Sequence, residues 1–269
     1  MLNAFQTRQI FPGSASQGTP GAAVVPRPGV ELLVLKSGSG EHIAAAFGPA
    51  LTEDGQPDPA AASRPTLLYF YGNGWCLRDA VEEDLDWFRR LGVNVLIPDY
   101  IGYGMSSGVP GEAGCYETAD ACLDHLRGRA DLDPRRIVAV GRSLGGAVAI
   151  DLASRRPVAG LVAFCTFTRM VDMAKRRFPY LPASLLLNHR FESIAKISRV
   201  TCPILLGHGG KDRVVPAEMS AALAAAASAH APVTTFTVHG ADHNDFFAVG
   251  AALILDALRT FLAGIAGTG

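Results

Sequence analysis

The amino-acid sequence predicts a single α/β domain, residues 1–269, built on a mostly parallel, doubly wound sheet. Six short apolar runs rich in β-forming residues alternate with helical patterns: TLLYFY, NVLIPDY, RIVAVG, GLVAFC, CPILLG and TTFTV. Most of these runs are apolar at nearly every position, which is typical of strands covered on both faces. The chain has 269 residues, 49% of them hydrophobic, and can therefore bury a large core.

Composition excludes several classes of protein. The chain carries 24 Lys and Arg against 25 Asp and Glu, so it has no strong field to attract nucleic acid. Its five cysteines are dispersed without CxxC pairs, which is typical of free thiols and not of a zinc site. The N-terminal residues meet Arg8 and Pro12 before any apolar region forms, so we expect no signal peptide.

The longest apolar stretch lies near the C-terminus and reads ALILDALRTFLAGIA. Asp256 and Arg259 interrupt it at helical spacing, which argues against a transmembrane helix. We therefore expect a cytoplasmic protein with no integral membrane segment and no nucleic-acid partner.

The elements before and between the apolar runs can be assigned in order. Residues 1–28 are rich in Pro, Gly and Ser and predict an irregular lead-in, and strands are expected from Val30 and from Glu41. After the first apolar run, Asp79 is the expected N-cap of a helix, with Glu82 three residues on. An Ala-rich helix and an amphipathic C-terminal helix complete the pattern.

Residues 166–197 depart from this alternation and predict a small helical cap inserted between two strands. The segment is helical or irregular in pattern and rich in Met, Leu and aromatic residues. An insertion at this point would lie over the C-terminal ends of the strands, where open α/β sheets bind ligands.

Side chains of the cap could contact a substrate. Met170 and Met173, with the apolar residues that follow them up to Leu187, could wall an acyl pocket or could pack the cap onto the body. The run Lys175-Arg176-Arg177 could attract an acidic substrate or a lipid head group, although such a short run is usually just solvated.

The stretch RIVAVGRSLGGAVAI predicts a strand, a sharp turn and a helix, with Ser143 in the turn. Gly141 and Gly145 flank the serine in the pattern G-x-S-x-G, because side chains at these positions would collide in so tight a turn. The pattern alone is weak and also fits a glycine-rich turn that packs a helix against a strand. The strand before it and the helix after it favour Ser143 as a nucleophile, and the backbone N–H of Leu144 can donate to the oxyanion that forms from the substrate carbonyl.

A serine nucleophile needs a histidine base and an acid that orients it, in the chain order serine, acid, histidine. Asp212 follows the strand in CPILLGHGGKDRVVP, and His243 follows the strand in TTFTVHGADHNDFF. Because parallel strands end at the same sheet edge, we expect Ser143, Asp212 and His243 to meet there.

Other residues near these positions leave alternatives open. His239 lies close to its strand end and His208 precedes the acid, so both are interpreted as structural. Asp242 and Asp245 flank the predicted base and could serve as its acid or cap the last helix. Asp212 could instead be a turn residue, which its Gly-Gly-Lys-Asp setting also suits.

The segment Tyr71-Gly72-Asn73-Gly74-Trp75 closes the first apolar run. Glycines let backbone approach a substrate oxygen, so the N–H of Asn73 is the expected second oxyanion donor, with Gly74 as the reserve. Gly74 and Trp75 are also expected to border the substrate. A plain glycine turn is the alternative.

Taken together, the segments around Ser143, Asp212 and His243 resemble those of the α/β-hydrolase superfamily. The matching residues are Gly141-Arg142-Ser143-Leu144-Gly145-Gly146, Gly207 to Pro216 and Gly240 to His243, and they look most like the small-cap, depalmitoylase-like branch. The resemblance spans roughly residues 66–262. It implies an α/β-hydrolase fold and hydrolysis of carboxyl esters or thioesters through an acyl-enzyme, with no cofactor and no metal.

The sequence therefore predicts a serine hydrolase of the esterase or thioesterase type, acting on a small-molecule ester or acyl substrate. A peptidase with the same triad is an alternative, but no propeller or large extra domain is present in the sequence to gate peptides. A non-catalytic, ligand-binding protein of the same fold is a second alternative. Such a protein has no need of all three residues in this order.

Overall fold

The computed structural model describes residues 2–227 and 229–266, and the predicted apolar runs all form strands in it. The strands are β1 (Glu31–Lys36), β2 (His42–Gly48), β3 (Thr66–Phe70), β4 (Asn94–Pro98), β5 (Ile137–Arg142), β6 (Gly160–Phe164), β7 (Ile204–Gly209) and β8 (Val233–Val238). The helices are α1 (Leu2–Ile10), α2 (Leu77–Glu83), α3 (Leu85–Arg89), α4 (Glu112–Gly128), α5 (Leu144–Arg155), α6 (Met170–Arg177), α7 (Ala183–Leu186), α8 (Ser193–Ile197), α9 (Ala217–Ala226) and α10 (Phe246–Ala266).

The chain divides into two compact units, residues 1–138 and 139–269, each with its own part of the strand set. In the first unit the strand order is β1-β2-β4-β3, with β1 and β4 antiparallel to β2 and β3 parallel to β4. In the second unit the order is β5-β6-β7-β8, and β7 is parallel to both β6 and β8. The predicted mostly parallel α/β architecture is confirmed.

Burial follows the sequence pattern strand by strand. Every residue of β3, β4, β6 and β7 is buried, as expected for strands whose side chains are covered on both faces. In β1 and β8, by contrast, most residues are exposed or half-buried. The buried strands are therefore β3 and β4 in the first unit and β6 and β7 in the second.

The expectation of an irregular lead-in over residues 1–28 is wrong for its first third. Leu2–Ile10 forms α1, and the chain then turns inward at Phe11, which is fully buried. Gly13 lies so close to the loop after β3 that an added Cβ would stand 2.4 Å from the carbonyl oxygen of Trp75. The helix was not predicted because its nine residues have too weak an apolar periodicity to stand out from the Pro/Gly-rich residues behind it.

The N-cap of the helix after β3 also differs from the prediction. Cys76 is the N-cap, and Asp79 lies three positions into α2, where its carboxylate accepts the backbone N–H of Cys76 at 2.8 Å. This is the reciprocal arm of a capping box, so Asp79 stabilises the same helix end from the opposite side. The helix is also interrupted at Asp84, whose buried carboxylate accepts the hydroxyl of Tyr69 at 2.7 Å.

Residues 166–197, the predicted cap insertion, contain three short helices, α6 to α8. The first two lie in a segment, residues 170–190, that we call the excursion. Its two ends are joined, because the backbone N–H of Met170 donates to the carbonyl of Arg190 at 2.8 Å. The third, α8, packs against α5 and α9, so it belongs to the helical layer and not to the excursion. That the excursion covers the site stays a prediction.

Within the described residues, one helix is long and apolar enough to cross a membrane, namely α10 over Phe246–Ile265. One of its faces packs against β7 and β8 and buries Ile254 and Leu258. The opposite face leaves Val249 and Leu253 about half exposed.

We predict that Phe11→Ala lowers the free energy of unfolding by about 3–5 kcal/mol, because it empties a fully buried aromatic site. Urea denaturation measures the change. The matched control is Phe5→Ala in α1, where the ring is 47% exposed and little should be lost. Equal stability of the two variants would show that the N-terminal segment is not part of the core.

Candidate active site

Ser143 stands in a strained turn between β5 and α5. Its φ is +54°, in the left-handed region that residues other than glycine rarely adopt. An added Cβ at Gly141 would lie 2.0 Å from the carbonyl oxygen of Gly145, and one at Gly146 would lie 2.5 Å from the Cβ of Thr166. Gly141 therefore lets β5 approach the start of α5, and Gly146 lets α5 approach the chain after β6. Both approaches hold Ser143 in this conformation, with its side chain half-buried.

Asp212 follows β7 and uses its two carboxylate oxygens for different purposes. Oδ1 accepts the backbone N–H groups of Val214 at 2.9 Å and Val215 at 2.7 Å, which fixes the turn. Oδ2 lies 2.7 Å from Nδ1 of His243. Asp212 is therefore both the turn residue and the partner of His243, two roles that the sequence offered as alternatives.

His243 connects the other two residues. Its Nε2 lies 3.1 Å from Oγ of Ser143, so the structure brings all three predicted residues into one hydrogen-bonded line. The backbone on which His243 sits is held on both sides. The guanidinium of Arg142 donates to the His243 carbonyl at 2.7 Å, and Oδ1 of Asp242 accepts the His243 N–H at 2.6 Å.

The carboxylates of Asp242 and Asp245 accept hydrogen bonds from the backbone of the loop that carries His243. Besides His243, Oδ1 of Asp242 accepts the N–H of Arg213 at 3.1 Å, and Oδ1 of Asp245 accepts the N–H of Asp242 at 2.7 Å. Both carboxylates thus order the loop before α10. The bond to the imidazole is made by Asp212.

The charge on Asp212 is set by two opposing effects. Burial by itself raises the pKa of this carboxyl, but hydrogen bonds from His208 and His243 outweigh burial and hold the pKa below its usual range. Asp212 is therefore ionised at neutral pH. An ionised acceptor keeps the proton of His243 on Nδ1 and leaves Nε2 free to accept one.

Two further side chains surround Asp212 that the sequence did not single out for this position. Nε2 of His208 lies 2.7 Å from the Val215 carbonyl and 3.4 Å from Oδ2 of Asp212. Cys165, just after β6, is fully buried, and burial raises the pKa of its thiol to about 12, so it is a poor nucleophile. Both residues occupy strand ends near Asp212, which is the signal that could have identified them.

Cys165, Asp212 and His243 also offer three donor atoms within 4.8 Å of one another, a spacing that a metal ion could use. The separation between Asp212 and His243 argues against this. Ligands at about 2.0–2.1 Å from a tetrahedral metal lie roughly 3.3 Å apart. The observed 2.7 Å is the length of a charge-assisted hydrogen bond.

The predicted oxyanion donors lie in different units, and each can be described by itself. Leu144 is the first residue of α5, and N–H groups in a first helical turn have no partner within the helix. Asn73 is anchored: its carbonyl accepts the N–H of Gly13 at 2.9 Å, and its side-chain amide donates to the carbonyl of Ile10, also at 2.9 Å. That these residues bind an oxyanion stays a prediction.

The predicted substrate-binding residues have mixed surroundings. Gly74 is exposed, whereas Trp75, Met170 and Met173 are half-buried. In the second unit an open cleft of about 720 Å³ lies beside Asp212, between α6, α8, α9 and the turn after β7. Met170 and Met173 are not among the residues that line it, and their contact with substrate stays a prediction.

A serine elbow between a strand and a helix, followed by an aspartate and a histidine after later strands, defines the class of alpha/beta hydrolases. Residues 69–195 match the model of the Alpha/beta hydrolase family. The chain belongs to the alpha/beta hydrolase family.

Similar proteins agree with this assignment. An uncharacterised protein of Mycobacterium tuberculosis is 39% identical over 206 residues, 77% of this chain and 72% of that protein. Alpha/beta hydrolase domain-containing protein 17C of Homo sapiens is 34% identical over 204 residues, 76% of this chain and 60% of that protein. The solved structure of the Pyrococcus furiosus esterase Pf2001 superposes with a TM-score of 0.70 at 16% identity, covering 93% of this chain and 94% of that chain. At that identity the likeness concerns the fold.

We predict that Gly141→Ala lowers the free energy of unfolding by about 1–3 kcal/mol, because the new Cβ would collide with the backbone of Gly145. Thermal unfolding measures the change. Gly128→Ala is the control, since a Cβ there meets nothing within 4 Å at the end of α4. The control should be neutral or stabilising, and equal losses in both variants would contradict the predicted collision.

We predict that Asp212 contributes stability that depends on pH. Because its pKa is lowered in the folded state, the contribution is present above the unfolded value of about 3.9 and is lost as pH falls through the lower folded value. Urea unfolding of the parent and of Asp212→Asn should show a constant difference from neutral pH to about pH 5, which shrinks below about pH 4. A difference that did not change with pH would contradict the ionised state of Asp212.

Proposed function

We propose that this protein is a serine hydrolase that cleaves carboxyl esters or thioesters through an acyl-enzyme, without a cofactor. The observation that carries the proposal is the line from Oγ of Ser143 to Nε2 of His243 at 3.1 Å and from Nδ1 of His243 to Asp212 at 2.7 Å. Each distance is within hydrogen-bonding range, so a proton can pass from the hydroxyl to the imidazole while the carboxylate stabilises the imidazolium.

In the first step Oγ of Ser143 attacks the acyl carbon and its proton moves to Nε2 of His243. Negative charge develops on the former carbonyl oxygen, and we propose that the N–H groups of Leu144 and Asn73 stabilise it. The protonated His243 then donates its proton to the leaving alcohol or thiol as the bond to the acyl carbon breaks. The acyl group remains on Ser143 as an ester.

In the second step a water molecule attacks this acyl-enzyme. His243 accepts a proton from the water, and the resulting hydroxide adds to the acyl carbon. The imidazolium returns the proton to Oγ of Ser143 as the carboxylic acid leaves. The carboxylate of Asp212 remains ionised throughout, in agreement with its lowered pKa.

Several features support ester chemistry for this site. The structurally similar Pyrococcus furiosus protein Pf2001 is an esterase. The buried thiol of Cys165 is a poor competitor for the role of nucleophile, since burial raises its pKa to about 12. Ser143, in contrast, is half-buried and within reach of the base.

We predict that Ser143→Ala and His243→Ala each lower kcat for p-nitrophenyl ester hydrolysis by at least about 10³-fold, because the two residues act as one unit. Ser143→Ala should keep an unfolding midpoint close to that of the parent, whereas His243→Ala should remain folded with a lower midpoint, because it removes a hydrogen-bond donor from the buried carboxylate of Asp212. Ser198→Ala is the matched control, since Ser198 is an exposed serine at the end of α8. It should hydrolyse the ester at the parental rate, and parental turnover by Ser143→Ala would refute the proposal.

A panel of esters, thioesters and peptide p-nitroanilides of matched acyl groups tests the substrate class. We expect higher kcat/KM for the esters and thioesters, because the acyl carbon of an ester or thioester is more electrophilic than that of an amide. Faster cleavage of the anilides by the parent, with loss in Ser143→Ala, would make the protein a peptidase with the same triad.

A further inference from the structure

The excursion formed by α6 and α7 exposes apolar side chains at its end. Tyr180 is 97% exposed and Leu185 is 84% exposed, and Leu181 between them is 49% exposed. We refer to residues 175–187 as the cap tip. Its sequence is apolar enough to predict packing onto the body or around an acyl chain, but these side chains point into solvent. Exposed apolar side chains grouped in this way mark an interaction surface.

The cap tip is also basic. Lys175, Arg176 and Arg177 are exposed at the C-terminal end of α6, and none of them has an ion-pair partner among residues 2–227 and 229–266. From residue 173 to residue 191 the sequence has these three cations and Arg190 but no Asp or Glu. Because the whole chain carries a formal charge of −1, this concentration of positive charge is local.

We propose that the cap tip docks on an anionic lipid surface. Tyr180, Leu181 and Leu185 would insert at the boundary between head groups and acyl chains, while the cations beside them contact lipid phosphates. Basic residues attract anionic lipid over a short range, and amphipathic aromatic side chains favour the membrane interface. A second copy of the cap tip is disfavoured, because it would bring the same excess of positive charge against this one.

The other apolar surface of the second unit does not have this character. The outer face of α10 exposes Val249 and Leu253, but the charged residues of that helix are one acid and one base, Asp256 and Arg259. It therefore has no excess of positive charge to favour an anionic surface. This makes α10 a suitable internal comparison.

Docking by the cap tip would bring the catalytic residues of the same unit to the lipid surface. The inserted segment begins next to Ser143. Its first residue, Thr166, donates its hydroxyl to the carbonyl of Ser143 at 2.8 Å. In this respect the inference deepens the proposed function: the acyl substrate would be drawn from lipids or amphiphiles held at that surface. The docking itself does not require catalysis.

Sedimentation with vesicles tests the proposal. The full chain is mixed with vesicles of phosphatidylcholine alone or of phosphatidylcholine with phosphatidylglycerol, and the bound fraction is measured. Two variants remove the proposed contacts, Tyr180→Ser/Leu185→Ser for the apolar part and Lys175→Gln/Arg177→Gln for the charge. Val249→Ser/Leu253→Ser on α10 is the matched control, and Ser143→Ala separates docking from catalysis.

We expect the parent and Ser143→Ala to bind the vesicles with phosphatidylglycerol at least about tenfold more tightly than vesicles of phosphatidylcholine alone. Each cap-tip variant should lose this binding, whereas the α10 variant should keep it, and all three should hydrolyse a soluble short-chain ester at the parental rate.

Absence of binding by the parent, or equal loss in the α10 variant, would overturn the proposal. So would a parent that does not bind vesicles but forms dimers in size exclusion that the Tyr180→Ser/Leu185→Ser variant does not form, because the cap tip would then be a contact between copies. If binding persists but no ester is hydrolysed, the proposed function fails and the docking surface stands.

Discussion

The carboxylate of Asp212 is buried. A buried charge is tolerated only when hydrogen-bond donors surround it. Here the donors are the turn N–H groups of Val214 and Val215 and the imidazole of His243, and the imidazole of His208 lies 3.4 Å from the same carboxylate. Meeting this requirement orders the turn after β7 and orients His243 in one arrangement. The same interactions that make the buried charge possible therefore also orient the imidazole of His243 toward Ser143.

The second constraint is the turn at Ser143. A serine with φ of +54° is held there because β5 meets the start of α5 too closely for a Cβ at Gly141, and α5 meets Thr166 too closely for a Cβ at Gly146. In this backbone conformation the hydroxyl of Ser143 lies within hydrogen-bonding distance of His243. Strand, helix and glycine positions are thus fixed by the same requirement, a hydroxyl presented 3.1 Å from a nitrogen that can accept its proton.

Much of the second unit could be predicted from the sequence, because buried parallel strands leave continuous apolar runs and the site residues follow them in a recognisable order. The two roles of Asp212 could not, since a linear pattern does not show that two oxygens of one carboxylate have different partners. The N-terminal helix α1 could not be predicted, because its sequence has little apolar periodicity. Asp79 was expected as the N-cap of α2 but is the third residue of that helix, and its carboxylate accepts the N–H of the N-cap, Cys76. For Tyr180 and Leu185 composition left two roles open, a wall of an acyl pocket or packing onto the body, and it could not show that both side chains are exposed, because burial depends on neighbours that the sequence does not name.

We propose that Ser143 is a nucleophile activated by His243. This is tested most directly by reacting the protein with a fluorophosphonate and locating the adduct by peptide mass spectrometry. We expect a single stoichiometric adduct on Ser143 that forms far more slowly in His243→Ala. An unmodified Ser143, or an adduct on another residue that forms equally fast in both proteins, would contradict it.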